Sequence, residues 1–463
     1  MSWARQLWTW GIWRIKSLQG KCRSHEKGGS FLHNTRHTAH ESDFQQGYHR
    51  GYDQGFKVGK ETFGTWFEGT SIIIPTYNQK QLLLQCVDYI EAHTVSPYEV
   101  IIVDNGSQDG TVEALRHRRG SLRIAAHSTN LGFAQAINTG LMMARGQTIV
   151  LLNNDVFVTE GWLTQMLACL LESPDTAAVG PVTNYISGEQ KIEVPYHDLA
   201  EMPGFAAAYN RRDTGKWRDT SRLVGFCILM KRSTFEQVGY LDEGYEVGNF
   251  EDDDWNLRLR LQGKRMRIAG DTFVHHVGSV TMKGLGAQFF TVNDSNERFY
   301  IEKWGNRYDQ IRGRVEELIT TPHKAADFFP THIWIRSASG QLYWMQHGVK
   351  YPAATRAKDD VMMASAVRLS VMELLQIPTG PEYGETELAA IKADSSRDGV
   401  VVMAGDGTIY QLDRGARREF VSYYACTAWG FIIPQQAAAH EAWNHWPEGL
   451  PIAPPTRVKA EDL

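Results

Sequence analysis

The sequence predicts an α/β fold: a mostly parallel, Rossmann-like sheet between helices, with an N-terminal helical extension and a small C-terminal α+β repeat domain. Three observations predict it. Short apolar runs alternate with helical stretches over residues 70–310, the pattern of strand–helix crossovers in one parallel sheet. Polar clusters stand at the ends of three of those runs, where ligands bind in such sheets. Beyond residue 310 the alternation stops, and a motif at 339–351 returns at 406–419.

Residues 1–45 read as a leader and flexible linker. MSWARQLWTWGIWRIKSLQGKCR mixes Trp3, Trp8, Trp10 and Trp13 with Arg5, Arg14 and Lys16. It is too polar for a signal-peptide core. Such a segment suits a membrane interface, so peripheral contact through residues 1–20 is one expectation, and a helix packed on the protein is the plainer one. Residues 46–69 repeat Gly47-Tyr48, Gly51-Tyr52 and Gly55-Phe56 at a spacing of four. On a helix this stacks aromatics on one stripe and glycines on the next. Each glycine weakens a free helix by roughly 1 kcal/mol relative to Ala, so this helix needs a partner surface, its own copy or the adjoining domain.

The α/β domain is expected over residues 70–310. TSIIIPTYN is a strand closed by Pro75, and a helix follows from Lys80 to His93. YEVIIVDNGSQDGT is a second buried strand with an acidic, Gly-rich turn. LRIAAHSTNLGFAQAINTGLMMA supplies another strand and helix, and GQTIVLLNNDV the next strand. Pro75-Thr76-Tyr77-Asn78, Asp104-Asn105-Gly106 and Asn153-Asn154-Asp155 thereby converge on one crevice.

Residues 325–463 form the repeat domain. Gly340 aligns with Gly407, Tyr343 with Tyr410, Gly348 with Gly415 and Lys350 with Arg417. Each copy ends in a Pro-x-Gly turn, Pro378-Thr379-Gly380 and Pro447-Glu448-Gly449. A hairpin, a helix and a turn fit each copy, and two copies bury each other's faces. Trp344, Tyr343, Tyr410 and Trp429 suit either glycan binding or, as is commoner for aromatics in short strands, a core.

Composition narrows the partners. A formal charge of -5 argues against a nucleic-acid binder held by phosphate contacts. The five Cys are scattered, with no CxxC, and read as reduced thiols of a cytoplasmic protein. No apolar run reaches the length of a membrane span.

The chemistry lies in two places. Asn153, Asn154 and Asp155 follow a buried strand, and a hard cation such as Mg²⁺ or Mn²⁺ takes one or two carboxylates plus substrate phosphates. The structural alternative is a turn cap. About a hundred residues later comes FEDDDWNLRLR, opening a helix. Four adjacent acids repel one another, and burial raises their pKa further, so Glu251 or Asp252 is a candidate general base. Asp253 and Asp254 read more plainly as acids serving the helix dipole. His275 and His276 stand at the strand end TFVHHVGS, and one of them, His275 by preference, is a candidate metal or phosphate contact beside the commoner reading of a packed histidine.

IIIPTYN, VDNGSQDGT, NLGFAQAINTGL, LLNNDV, GFCILMKRSTFEQVGYLDE, FEDDDWNLRLR and VHHVGS stand in an order and spacing that resembles family 2 glycosyltransferases of GT-A fold. Within that family they look most like the rhamnosyltransferase-type branch of bacterial surface-polysaccharide synthesis. The resemblance covers residues 70–305 and implies inverting transfer of a hexosyl or deoxyhexosyl unit from a nucleotide-sugar, with Mg²⁺ or Mn²⁺. By motif it places Pro75, Tyr77, Asp104 and Asn105 on the nucleoside and Asn130 and Gly132 beside the donor. Asn153, Asn154 and Trp255 join them as donor contacts. Asp155 becomes the metal-binding acid, His275 a second metal contact, and Asp252 the base with Glu251 beside it. Asn153 departs from the family's usual acid at that position and leaves a cation with less charge. The implied acceptor is a glycan, a lipid-linked glycan or a protein, the implied location the cytoplasm or the inner face of the plasma membrane, and a homo-oligomer is the expectation from the Gly-Tyr stripe. The competing readings are a nucleotidyltransferase, which usually needs a Gly-rich basic phosphate loop that IIIPTYN lacks, and an inactive glycan-binding protein, against which the intact Asp155 and Asp252 argue.

Overall fold

The computed structural model describes residues 66–118, 122–278, 288–305, 322–354, 365–393, 397–435 and 442–459. Contacts divide the chain into Met1–Phe67 and Glu68–Leu463. The expected leader and most of the Gly-Tyr helix lie outside the described residues. The helix expectation for 46–69 ends too late, because Phe67–Gly69 already belong to strand β1 (Phe67–Thr76). Among the described residues no helix is long and apolar enough to cross a membrane.

From β1 the chain runs through α1 (Lys80–His93), β2 (Tyr98–Asp104), α2 (Thr111–Arg116), β3 (Leu122–Ala126), α3 (Phe133–Met143), β4 (Gly146–Leu152), β5 (Val156–Phe157) and α4 (Trp162–Leu171). It continues with β6 (Thr176–Thr183), α5 (Met202–Tyr209), β7 (Trp217–Thr220), β8 (Cys227–Lys231), α6 (Arg232–Val238), α7 (Glu251–Leu261), β9 (Arg265–His276) and α8 (Gln288–Trp304). These strands form one sheet in the order β3-β2-β1-β4-β8-β6-β9-β5, with β7 on β9. β1, β2 and β3 are parallel, with Thr76 opposite Asp104 and Asp104 opposite Ala126. β9 is parallel to β6, whereas β8 runs antiparallel to both β4 and β6. The sheet is thus mostly parallel, with β8 reversed inside it and β5 and β7 antiparallel to β9.

Both faces of the sheet are apolar because both are covered. Ile73, Ile101, Val103, Ile149 and Leu151 pack with Ala134, Ile137 and Leu141 of α3. Their neighbours Ile72, Ile74, Ile102, Val150 and Leu152 point the other way, onto Leu83 and Val87 of α1 and Leu163 and Met166 of α4, as alternation along a strand requires. Each such aliphatic side chain contributes roughly 1.5–3 kcal/mol on burial. The strand ends carry no such layer, so polar groups collect there.

The tail holds two further sheets. The first is built from β10 (Ile333–Arg336), β11 (Leu342–Gln346), β12 (Val349–Pro352) and β13 (Val367–Arg368), followed by α9 (Val371–Gln376) and α10 (Glu385–Ala393). The second is built from β14 (Val401–Met403), β15 (Ile409–Asp413) and β16 (Ala416–Glu419), followed by α11 (Tyr423–Ala428). Their hydrogen bonds repeat in step. His347 N–H donates to Thr331 Oγ1 (2.8 Å), and Arg414 N–H to Asp398 Oδ1 (2.9 Å). Lys350 N–H donates to Pro378 O and Arg417 N–H to Pro447 O, both at 2.9 Å. The hairpin turns match too: His347-Gly348 and Arg414-Gly415 all have φ between +48° and +75°, the left-handed pair that suits a two-residue hairpin.

This tail is no detached appendage. Leu257 and Leu261 of α7 and Trp304 of α8 share one apolar core with Ile333, Ile335, Met345 and Trp429. Near the end of the chain, Arg457 N–H donates to Asp242 (3.0 Å) and Lys459 N–H to Glu243 (2.6 Å). Trp344, Tyr410 and Trp429 are buried, so they belong to the core rather than to an open aromatic platform.

Candidate active site

One cavity opens beyond the carboxyl ends of β1, β2 and β4. Pro75, Tyr77, Asn105, Asn130, Asn153, Asn154, Asp155, Glu251 and Asp252 all line it. These residues span 178 positions of sequence, and strand order alone brings them together. Asp104, Gly132, Trp255 and His275 do not line it.

On the β1–β2 side the strand ends are tied together. Asn78 N–H donates to Ser107 Oγ (2.6 Å), and Gln108 N–H returns a bond to Asn78 Oδ1 (3.0 Å). Asp104 is buried beneath this turn and accepts from Ser107 N–H (3.0 Å). Its Oδ1 is buried without a hydrogen-bond partner among the described residues. Asn105 is saturated: Nδ2 donates to Asn130 Oδ1 (2.8 Å) and Gly132 O (3.1 Å), and Oδ1 accepts from Leu131 N–H and His127 Nδ1, both at 3.0 Å. An amide offers about four such positions, so the Asn105 side chain shapes the 130–132 loop. Gly132 opens α3 with φ +92° and donates to Asn130 Oδ1 (3.0 Å). Gly106 must be glycine, because an added Cβ would lie 2.7 Å from the Thr129 carbonyl carbon.

On the β4 side, Asn154 Nδ2 donates to Thr76 Oγ1 (3.0 Å). Asn153 Oδ1 is buried and has no hydrogen-bond partner among the described residues. Asp155, 5% exposed, faces a histidine, but not the expected one. His276 lines the cavity and sets Nε2 3.2 Å from Asp155 Oδ1. Its Nδ1 lies 2.7 Å from Tyr185 O. A carbonyl only accepts, so Nδ1 carries a proton and donates it there, which turns Nε2 toward Asp155. His275 points to the opposite face, as the next residue of a strand must. There its Nδ1 meets Tyr196 OH (2.7 Å), its ring stacks on Phe157, and burial together with His276 lowers its pKa to about 4. The His275 expectation is therefore corrected by one residue.

The acid run separates by direction around α7. Asp253 pairs with Arg222. Asp254 is fully buried between Lys303, Arg258 (2.8 Å) and Trp304 Nε1 (2.9 Å), and these cations hold its carboxyl low although burial opposes them. Glu251 and Asp252 face the cavity. Burial first, and then Asp253, push Asp252 up to about 6. Burial and the adjacent Asp252 raise Glu251 well above the usual carboxylate range. Asp252 Oδ2 accepts from Gly225 N–H (2.8 Å) and Oδ1 from Asp253 N–H (2.9 Å). Trp255 is 2% exposed in the core under the sheet. Its expected donor contact is thus corrected: the helix turns it away from the acids at its start.

Sequence reasoning preferred His275 to His276, and missed Gly225 and Asn296. HH offers two candidates, and only strand phase selects between them. A Cβ at Gly225 would sit 3.3 Å from Asp252 Cβ, a proximity no local pattern reveals. Asn296 lies on α8, forty-odd residues beyond the acids, and bonds the backbone of Glu246, Gly248 and Asn249 just before them. A second metal-competent group, His347, Asp398 and Asp413, lies in the tail. Arg414 and Arg418 approach Asp413 there at 3.4 and 3.5 Å, so its charge is already compensated.

Residues 71–239 match the model of glycosyl transferase family 2. The chain is 36% identical over 213 residues to glycosyltransferase AglE of Haloferax volcanii, covering 44% of this chain and 66% of that protein. It is 26% identical over 217 residues to the N-acetylglucosaminyl-diphospho-decaprenol L-rhamnosyltransferase of Mycobacterium tuberculosis, covering 42% and 70%. Three other relatives are spanned over 23%, 59% and 24% of their length. Among solved structures, the mannosyltransferase PcManGT from Pyrobaculum calidifontis with GDP-Man and Mn²⁺ aligns at 23% identity and TM-score 0.35, covering 46% of this chain and 57% of that one. A score that low adds nothing to the strand order already described.

Proposed function

We propose that this chain, a family 2 glycosyltransferase through residues 71–239, moves a hexosyl or deoxyhexosyl unit from a nucleotide-sugar to a hydroxyl of a glycan, lipid-linked or protein acceptor, with inversion at the anomeric carbon. One observation carries the reading: Asp155 and Asp252, ninety-seven residues apart, line the same cavity.

Asp252 is the base. With a pKa near 6 it is mostly ionised at neutral pH yet more basic than an ordinary carboxylate, the compromise that general-base catalysis favours. Its two oxygens are aimed by the Gly225 and Asp253 amides. Glu251 beside it is raised well above the usual carboxylate range by burial and by Asp252, the direction that lets two adjacent carboxyl groups share the cavity. Asp252 takes the proton of the acceptor hydroxyl as that oxygen attacks the anomeric carbon, and the nucleoside diphosphate leaves on the opposite side. Tyr77, Asn130 and the Asn105-shaped loop bind the nucleoside end.

Asp155, Asn153 Oδ1 and Nε2 of His276 fit a hard or borderline divalent cation, Mg²⁺ or Mn²⁺, which tolerates oxygen with one imidazole. Asn153 Oδ1, buried without a hydrogen-bond partner among the described residues, is what such an ion would satisfy, beside the Asp155–His276 pair. A bound cation neutralises charge on the departing diphosphate. Three protein ligands leave positions for the phosphates themselves.

The test is a screen of nucleotide-sugars with mass spectrometry of released nucleotide, with Asp252→Asn in parallel. Release by the wild type from at least one donor, abolished in the variant, is expected. Glycan binding without turnover of any donor would overturn the reading.

A further inference from the structure

We infer that Asn296, on α8 and outside the matched family segment, is the positioning residue that holds Glu251 and Asp252 in the cavity, by pinning the strap of residues 246–250 that leads into α7. The inference rests on the transfer reading above and adds a residue to it.

The strap is held against its own preference. Val247, Asn249 and Phe250 have φ of +60°, +86° and +72°, and Gly248 lies at +154°. Left-handed backbone is disfavoured for every residue but glycine, most of all for a β-branched one such as Val247. Such conformations persist only where the surroundings over-determine them, and they concentrate at functional sites. Val247, Gly248 and Asn249 line the cavity, and the two acids follow at once.

Asn296 supplies most of the side-chain restraint on this strap. It is 1% exposed. Its Oδ1 accepts from Glu246 N–H (2.9 Å). Its Nδ2 donates to the carbonyls of Glu246 (2.8 Å), Gly248 (3.0 Å) and Asn249 (3.2 Å). A second tie comes from across the cavity, where Phe133 N–H donates to Val247 O (3.0 Å). One neutral amide thus reads an N–H and three carbonyls of a single loop. Asp has no donor for the carbonyls, and Ala has neither group.

The other end of the first turn of α7 is anchored separately, through Asp254 to Lys303, Arg258 and Trp304. Glu251 and Asp252 lie between the two anchors. Phe250, the residue before the helix, offers no side-chain cap. Releasing the strap therefore frees the acids while the body of the helix stays docked.

The experiment uses the full chain with Asn296→Asp, Asn296→Ala and Asn296→Ala/Val247→Gly. Three quantities are measured: kcat for transfer, affinity for uridine and guanosine diphosphate by calorimetry, and hydrogen exchange by peptide. Both single variants are expected to lose on the order of 100-fold in kcat, the scale of an ångström-level misplacement of a catalytic group. The better-bound diphosphate should change affinity by less than about threefold, since the nucleoside end is held elsewhere. Exchange should rise in residues 246–254 and stay unchanged in β1, β2 and β4. Val247→Gly should return about tenfold of the lost kcat, because glycine adopts positive φ freely. Wild-type kcat in Asn296→Asp, exchange rising evenly across the chain, or no recovery in the double variant would each overturn the inference. A wild type that transfers from no donor would sink the transfer reading instead, and the exchange pattern would still decide whether Asn296 pins the strap.

Discussion

His276 stands opposite Val156 in the antiparallel pairing of β5 with β9, and this register sets its Nε2 3.2 Å from Asp155 Oδ1. The same register puts His275 opposite Phe157, on the other face. A period of two along a strand separates the proposed cation ligand from a packed ring.

The two histidines should therefore respond differently to substitution. His276→Gln is expected to weaken Mn²⁺-dependent diphosphate binding by about 10–100-fold, the usual cost of disturbing a metal's ligand set. His275→Gln should leave it within a few-fold. Calorimetric titration with and without Mn²⁺ checks this, and equal losses in both variants would remove His276 from the cation site.

Asp252→Asn keeps the shape of the acid and removes its basicity. Transfer should fall by about 10²–10⁴-fold, while affinity for the nucleoside diphosphate persists. Glu251→Gln should cost far less, since burial and Asp252 raise Glu251 well above the usual carboxylate range and the transfer reading gives the base to Asp252. A reversed order of the two losses, read from kcat, would move the base to Glu251.

Asp252 also predicts two pH effects of opposite kind. Transfer needs the ionised base, so kcat/KM should rise with pH through about 6 and level off above it. For stability the sign is reversed. A carboxyl whose folded pKa lies above its unfolded value costs stability when charged: the cost is full above the folded pKa and absent below the unfolded one. Asp252→Asn should therefore raise the Tm at pH 7.5, by roughly 2–4 °C per kcal/mol relieved. That advantage should vanish as the pH is lowered to about 4, the ordinary range for Asp. An advantage that grows on acidification would contradict the raised pKa.

Lys303 bonds Asp242 and Asp254, and all three side chains are fully buried. Lys303→Met strands two carboxylates in the interior, a change that costs roughly 3–5 kcal/mol. Chemical denaturation should show the loss, and adding Asp254→Asn should recover part of it. Because Asp242 also accepts from Arg457 N–H, protease cleavage near the C-terminus should accelerate in the single variant.

Much of the site was legible in the chain itself. The strands ending at Thr76, Asp104 and Leu152 are continuous apolar runs, which only a sheet covered on both faces can use, and the polar residues after them fall at its ligand edge. The repeat in the tail was legible because identical turn geometry needs glycine at Gly348 and Gly415. Trp255 and His275 were misread for a common reason: residue type names what a side chain can do, whereas its direction depends on helix and strand phase.

Sequence alone determined the alternation of strands and helices, the crevice at their ends and the two acidic centres, because periodicity and turn chemistry are local properties of the chain. Tertiary structure alone decided that His276 rather than His275 meets Asp155, that Asp254 is neutralised by Lys303 while Asp252 stays poised, and that Asn296 bonds the strap that leads to both acids. Each of these depends on groups from distant segments meeting in a water-poor interior, where an unmatched charge or amide is costly, and no local pattern encodes such a meeting.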